Sequence, residues 1–252
     1  MSSKVFIITG ASRGLGLAVA QYLAQASHRV FLVARTEKDL QAFKAQHGSS
    51  VEYLAVDLAD WKVAPRIIES ALQAFGRVDG VVVNHGVLAP ITRISESNVE
   101  EWRKAYDINV LSALALVKEA IPELRKSNGR VVFISTGAAF GAYSGWGSYG
   151  TSKASLTHLS AHLALEEPAI TSVAISPGKV DTDMQKQIRE GGKEAMTPDL
   201  HAHFVDEHKS GRLLDPKKPG NVIARLVEGA TKDVNGKHFR WNAPELANFQ
   251  DV

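Results

Sequence analysis

Six short apolar runs, at residues 5–9, 30–33, 51–56, 78–83, 131–135 and 171–176, recur along the 252-residue chain, and stretches of helical periodicity separate them. The runs are continuous rather than alternating, so each predicts a strand covered on both faces, as in a parallel sheet. Helices are expected near 14–26, 37–46, 61–75, 99–125, 149–166 and 219–228, with a last short strand near 236–240. No linker, internal repeat or low-complexity tract interrupts this βαβ rhythm. It predicts one α/β domain over 1–252: a Rossmann-type doubly wound parallel sheet of about seven strands with helices on both faces. The rhythm lapses at 182–215, where polar helical fragments carry Gly191, Gly192, Pro198 and Gly211. That insertion is either a mobile lid over a substrate site or a surface excursion.

Charge and cysteine content narrow the function classes. Lys plus Arg number 29 against 27 Asp plus Glu, with no long basic block, which points to a small-molecule site and away from nucleic acid. Cysteine is absent, and with it disulfides, thiolate nucleophiles and Cys-based zinc sites. His158 and His162 have the spacing of a metal-binding pair but lack a third ligand, and His201 and His203 are no more persuasive. No metal is expected, and the first pair reads as a helix surface or subunit contact. The apolar start of the chain is too short for a signal-peptide core or a membrane span, and residues 248–252 match no retention or peroxisomal signal. A cytoplasmic location without membrane attachment is the expectation.

Gly10, Gly14 and Gly16 follow the first strand and open the first helix, with Ser12, Arg13 and Leu15 between them. Without side chains at these points, backbone N–H groups and the helix N-terminus can approach a pyrophosphate, so a dinucleotide cofactor is expected here. At the end of the second strand a cofactor bearing a free ribose 2′-OH calls for an acid, whereas a 2′-phosphate calls for a cation. The chain has Ala34 and Arg35 there, and Arg13 is close enough in sequence to help, which favours NADP(H). Asp57 and Leu58 after the third strand would touch the adenine, and Asn84 and Gly86 after the fourth would flank its ribose; either pair serves equally as loop capping. Tyr149 and Lys153, four apart on a helix, share a face, so the ammonium is expected to favour the phenolate and make the phenol a usable acid. Pro177, Gly178, Val180 and Thr182 follow the sixth strand, at the carboxyl edge where open α/β sheets bind ligands.

Taken together and in this order, Thr9-Gly10-x-x-x-Gly14-x-Gly16, Asn84-x-Gly86, Asn109, Tyr149-x-x-x-Lys153 and Pro177-Gly178-x-Val180-x-Thr182 resemble the short-chain dehydrogenase/reductase family over nearly the whole chain. The resemblance implies a tetrad of Asn, Ser, Tyr and Lys. Tyr149 would give or take the proton, Lys153 would bind the nicotinamide ribose and lower the phenol's pKa, and Asn109 would hold a relay water. Val180 and Thr182 would hold the nicotinamide carboxamide. In the family the serine lies thirteen residues before the tyrosine; here that position is Thr136, whose hydroxyl serves the same chemistry, with Ser135 beside it as the alternative.

Residues 137–149 and 181–185 are similar to sepiapterin reductases and the related benzil reductases, which implies NADPH-dependent reduction of vicinal dicarbonyls. Arg240 falls where sepiapterin reductases use an acid to grip the pterin, which turns the resemblance away from pterins. Tyr143, Trp146 and Met184 would line an apolar substrate pocket or belong to core and lid packing. The expected activity is hydride transfer to a ketone or diketone. Physiological alcohol oxidation and a non-catalytic NADP(H) sensor are the alternatives. The resemblance also implies a homodimer or homotetramer through the helices at 99–125 and 149–166, with Leu114, Leu116 and Leu156 as candidate contacts.

Overall fold

Seven parallel strands, β1 (Val5–Thr9), β2 (Arg29–Ala34), β3 (Val51–Ala55), β4 (Gly80–Val83), β5 (Arg130–Ile134), β6 (Thr171–Ser176) and β7 (His238–Arg240), form one sheet in the order β3-β2-β1-β4-β5-β6-β7. The computed structural model describes residues 3–250. Met1, Ser2, Asp251 and Val252, on which part of the signal reading rests, lie outside the described residues. The order reverses between β1 and β4, where Phe6, Ile7 and Ile8 pair with Gly80, Val81 and Val82. A cleft is expected at the carboxyl ends of strands that diverge in this way.

Alternation within the strands builds two cores. Phe6 and Ile8 of β1 face one side, where α1 (Gly14–Gln25), α2 (Glu37–His47) and α9 (Lys217–Gly229) contribute Leu23, Leu40 and Val222. Val5 and Ile7 face the other, against Ile67 of α3 (Ala64–Phe75), Leu116 of α5 (Ser112–Ser127) and Leu156 of α6 (Gly147–Glu166). Burial on both faces explains why the strands read as unbroken apolar runs. Leu116 and Leu156 are therefore core residues with no accessible surface, contrary to the expectation that they are subunit contacts. Only Leu114, two positions from Leu116 and so on nearly the opposite side of α5, is exposed.

The helix expected at 99–125 is α4 (Val99–Tyr106), a wide π turn (Asp107–Leu111) and α5 in succession. The insertion at 182–215 carries α7 (Asp183–Gly191) and α8 (Pro198–Lys209). Both its ends are held: Asp181 N donates to the Leu214 carbonyl at 2.9 Å, and Leu214 N to that of Lys179 at 2.8 Å. Beneath it Ile188, Met196 and Phe204 form a third apolar cluster with Leu88, Trp146 and Tyr149.

Gly80 marks a tight passage between sheet and helix. A Cβ there would lie 2.7 Å from Val227 Cγ2 and 3.0 Å from Phe6 Cδ1. Gly80→Ala is expected to cost about 1–3 kcal/mol by overpacking, read as a lowered urea midpoint with an unchanged slope.

Candidate active site

The glycine turn is held from behind. Gly10, at φ 63°, donates its N–H to the Val33 carbonyl at 2.8 Å, and Asn84 Nδ2 donates to the carbonyls of Thr9 and Gly10 at 3.0 and 3.2 Å. A Cβ on Gly16 would come within 2.6 Å of that Asn84 nitrogen and closer still to the Gly10 oxygen. Helix α1 then starts with no side-chain cap and no acid in its first turn, so its N–H groups face the cleft without a competing acceptor. This cradle fits a pyrophosphate. Gly14, at φ 55°, sits where a Cβ would lie 3.1 Å from Thr182 Cγ2, which brings the last motif onto the first.

One cleft of about 650 Å³ runs from this turn to the middle of the sheet. Gly10, Ser12, Arg13, Gly14, Leu15, Arg35, Asp57, Leu58, Asn84 and Gly86 line it from one side. Thr136, Tyr149, Lys153, Pro177, Gly178, Val180, Thr182 and Met184 line it from the other. Arg35 is exposed at the rim beside Ala34, while Arg13 pairs with Asp183 at 3.0 Å. Asp57 also caps its own turn, accepting from Ala59 N at 3.0 Å, and Asn84 is committed to the glycine turn. Tyr143 and Trp146 line a separate recess of about 580 Å³ with Thr92 and Phe140. Trp146 meets Tyr149 edge-on from that side, with 5.9 Å between ring centres.

At the floor of the cleft, Thr136 and Ser135 point apart as adjacent strand-end residues do. The Thr136 hydroxyl accepts from Ala138 N at 3.3 Å and stands near enough to the Tyr149 phenol to favour its ionised form. Ser135 Oγ is 2.6 Å from Thr157 Oγ1, which itself donates to the Lys153 carbonyl. Lys153 Nζ donates to the Ile134 carbonyl at 2.8 Å and lies 6.0 Å from the centre of the Tyr149 ring. The phenol is not made acidic by this arrangement, contrary to expectation: burial pushes Tyr149 up to about 12, and the Thr136 hydroxyl offsets only part of that. Burial also brings Lys153 down to about 8. Spacing placed the ammonium on the right face but said nothing of desolvation.

Asn109 lies in the π turn, fully buried, and its amide closes on the β4 loop. Its Oδ1 accepts from Val87 N at 2.8 Å, and its Nδ2 donates to the Val87 carbonyl at 2.9 Å and to Ser152 Oγ at 3.0 Å. His85, between Asn84 and Gly86 in the stretch expected to flank the adenine ribose and the sheet, is buried beside this set. Its Nδ1 is 2.8 Å from Thr9 Oγ1 and its Nε2 2.7 Å from Ser112 Oγ, which donates to the Ile108 carbonyl. The ring thus ties β1 to the π turn.

The short chain dehydrogenase family profile matches residues 4–193. The chain belongs to this family of oxidoreductases. It is 39% identical to a benzil reductase of Saccharomyces cerevisiae that forms (S)-benzoin, over 98% of this chain and 99% of the relative. A benzil reductase of Bacillus cereus is 33% identical, over 89% and 94%. The crystal structure of a Saccharomyces cerevisiae short-chain dehydrogenase/reductase superposes with a TM-score of 0.96 at 38% identity, covering 99% of this chain and all of the other. The family uses a nicotinamide cofactor, and the cradle described above fits one. Among the described residues no group of His, Cys, Asp or Glu side chains is arranged to hold a metal, and no helix is long and apolar enough to cross a membrane.

His85 is pushed down to about 3, first by burial and then by the Lys153 charge. An unfolded His titrates near ~6.5, so between these values the unfolded chain takes up a proton that the native chain refuses. The stability that His85 contributes is complete above the unfolded value and is lost as pH falls towards 3. Urea midpoints are expected to fall between pH 7 and pH 4, and His85→Gln is expected to flatten that slope.

Proposed function

We propose that the chain is an NADPH-dependent carbonyl reductase acting on ketones or vicinal diketones. The observation that carries this reading is the pair of hydroxyls, Thr136 and Tyr149, side by side in the cleft that begins at the open glycine turn. Kinship with benzil reductases supports the substrate class. When bound, the reduced nicotinamide supplies a hydride to the carbonyl carbon.

The chain's own residues then handle the oxygen. Thr136 donates a hydrogen bond that orients the carbonyl, and Tyr149 passes its proton to the alkoxide as the C=O bond becomes C–O. A buried phenol raised to about 12 stays protonated at neutral pH, the state that a proton donor requires. Lys153, still largely charged at neutral pH, stabilises the resulting phenolate and returns a proton to it. Asn109 acts chiefly by clamping Val87, so that Gly86 passes close to Lys153. Val180 and Thr182 line the same cleft, which supports the role their motif implies in holding the carboxamide end of the cofactor. A complete proton-transfer set of this kind has no use in a sensor.

Arg35, exposed at the rim with no acid at Ala34 beside it, supports NADP(H) as the cofactor. Residues 182–215 form the cover of the site. Exposed Ile94, Val99, Leu111 and Leu114 support a homodimer or homotetramer through the α4–α5 side. A cytoplasmic location fits this activity.

Tyr149→Phe is expected to lower kcat on benzil by roughly 100-fold or more while NADPH affinity, read by fluorescence titration, stays within about two-fold; an unchanged kcat removes the mechanism. Arg35→Ala is expected to weaken NADPH about ten-fold and leave NADH nearly unchanged, whereas equal losses in the two titrations overturn the cofactor assignment.

A further inference from the structure

Helix α7 carries buried polar atoms that no protein group satisfies. Gln185 is 8% exposed, yet its Oε1 has no hydrogen-bond partner, and neither has the buried Nη1 of Arg189. The adjacent acid, Glu190, lies 3.8 Å from Lys186 instead. Gln185 and Arg189 are four residues apart and so share one face of α7, which also carries Ile188. Ile188 packs in the apolar cluster that contains Tyr149. Both polar residues line the same cleft as Tyr149, Thr136 and Lys153. The Arg189 carbonyl accepts from His201 Nε2 at 2.9 Å, which ties this turn of α7 to α8 and limits its freedom to swing away.

A buried guanidinium donor without a carboxylate calls for an oxygen acceptor from elsewhere. The reduced carbonyl already has its donors in Thr136 and Tyr149, which line the same cleft. We propose that Gln185 and Arg189 form a subsite for a second oxygen on the substrate, next to the carbonyl being reduced, so that 1,2-dicarbonyl compounds are selected over simple ketones. This deepens the reductase reading of the cleft and rests on it. Arg189 donates to the second oxygen, and Gln185, on the same face of α7, borders the subsite and fixes orientation. A buried donor of this kind penalises an analogue that lacks the acceptor, because it is then left unpaired.

Steady-state kcat/KM with NADPH tests the subsite on three compounds: benzil, phenylglyoxylate and deoxybenzoin, in which CH2 replaces one carbonyl of benzil. Arg189→Met keeps the apolar stem without the donor. Gln185→Glu instead gives Arg189 a carboxylate in the favourable i,i+4 order and occupies it from within. Each variant is expected to lose about ten-fold or more on at least one dicarbonyl relative to its change on deoxybenzoin, with NADPH affinity within about two-fold of the parent. The dicarbonyl that loses more tells whether the second oxygen is neutral or anionic. Equal losses on all three compounds, no loss on either dicarbonyl, or a matching loss of NADPH affinity overturns the subsite while leaving the reductase reading in place. Parent enzyme that turns over none of the three removes the reductase reading itself, and this one with it.

Discussion

Everything at the working edge of this sheet depends on how closely three backbones approach at the glycine turn. Asn84 reaches across from β4 to grip the carbonyls of Thr9 and Gly10, and Gly16 passes near enough that no side chain fits between. That contact welds the end of β1 to the end of β4 where their connections diverge, and it aims the start of α1 at the space between them. The same grip sets the depth of the cleft, since the β4 loop continues directly to Gly86 and the Lys153 ammonium.

A second, polar layer carries that geometry further along the edge. Thr9, His85 and Ser112 hydrogen-bond in succession beneath the cleft as far as the Ile108 carbonyl, and Ser152 joins the neighbouring Asn109 to α6. Fully satisfied buried networks hold a single arrangement, because any member that moves leaves its partners unpaired in a low dielectric. The π turn belongs to this layer. Its wider winding places Asn109 against the β4 loop, and such turns recur where a helix must present a side chain inward.

Sequence reading recovered what short-range spacing encodes. The strand–turn–helix order around Gly10, the four-residue step from Tyr149 to Lys153, and the edge position of Pro177 to Thr182 all depend on neighbours in the chain, and the cleft does bring them together. What escaped depends on distance in three dimensions. Whether Lys153 or burial dominates the Tyr149 equilibrium is decided by desolvation, which no spacing reveals. Leu116 and Leu114 look alike in a helical stretch until the sheet claims one of them. Trp146 and Tyr143 are near Tyr149 in the chain, yet α6 and the cluster under α8 direct them to a different recess. Gln185 and Arg189 sit in a polar tract that the composition alone marks as surface.

The order of strands also bears on how the chain assembles as it leaves the ribosome. β1, β2 and β3 lie side by side in sequence as in space and can pair as soon as they emerge. The other flank of β1 belongs to β4, whose register partner for Phe6 is Gly80, so it waits for more than seventy further residues. Until then the nascent piece presents an unpaired, largely apolar strand border, the kind of surface that invites adhesion to other chains. The arrival of β4 therefore does two jobs at once: it completes the half of the molecule that cradles the dinucleotide, and it removes the most adhesive border of the growing polypeptide.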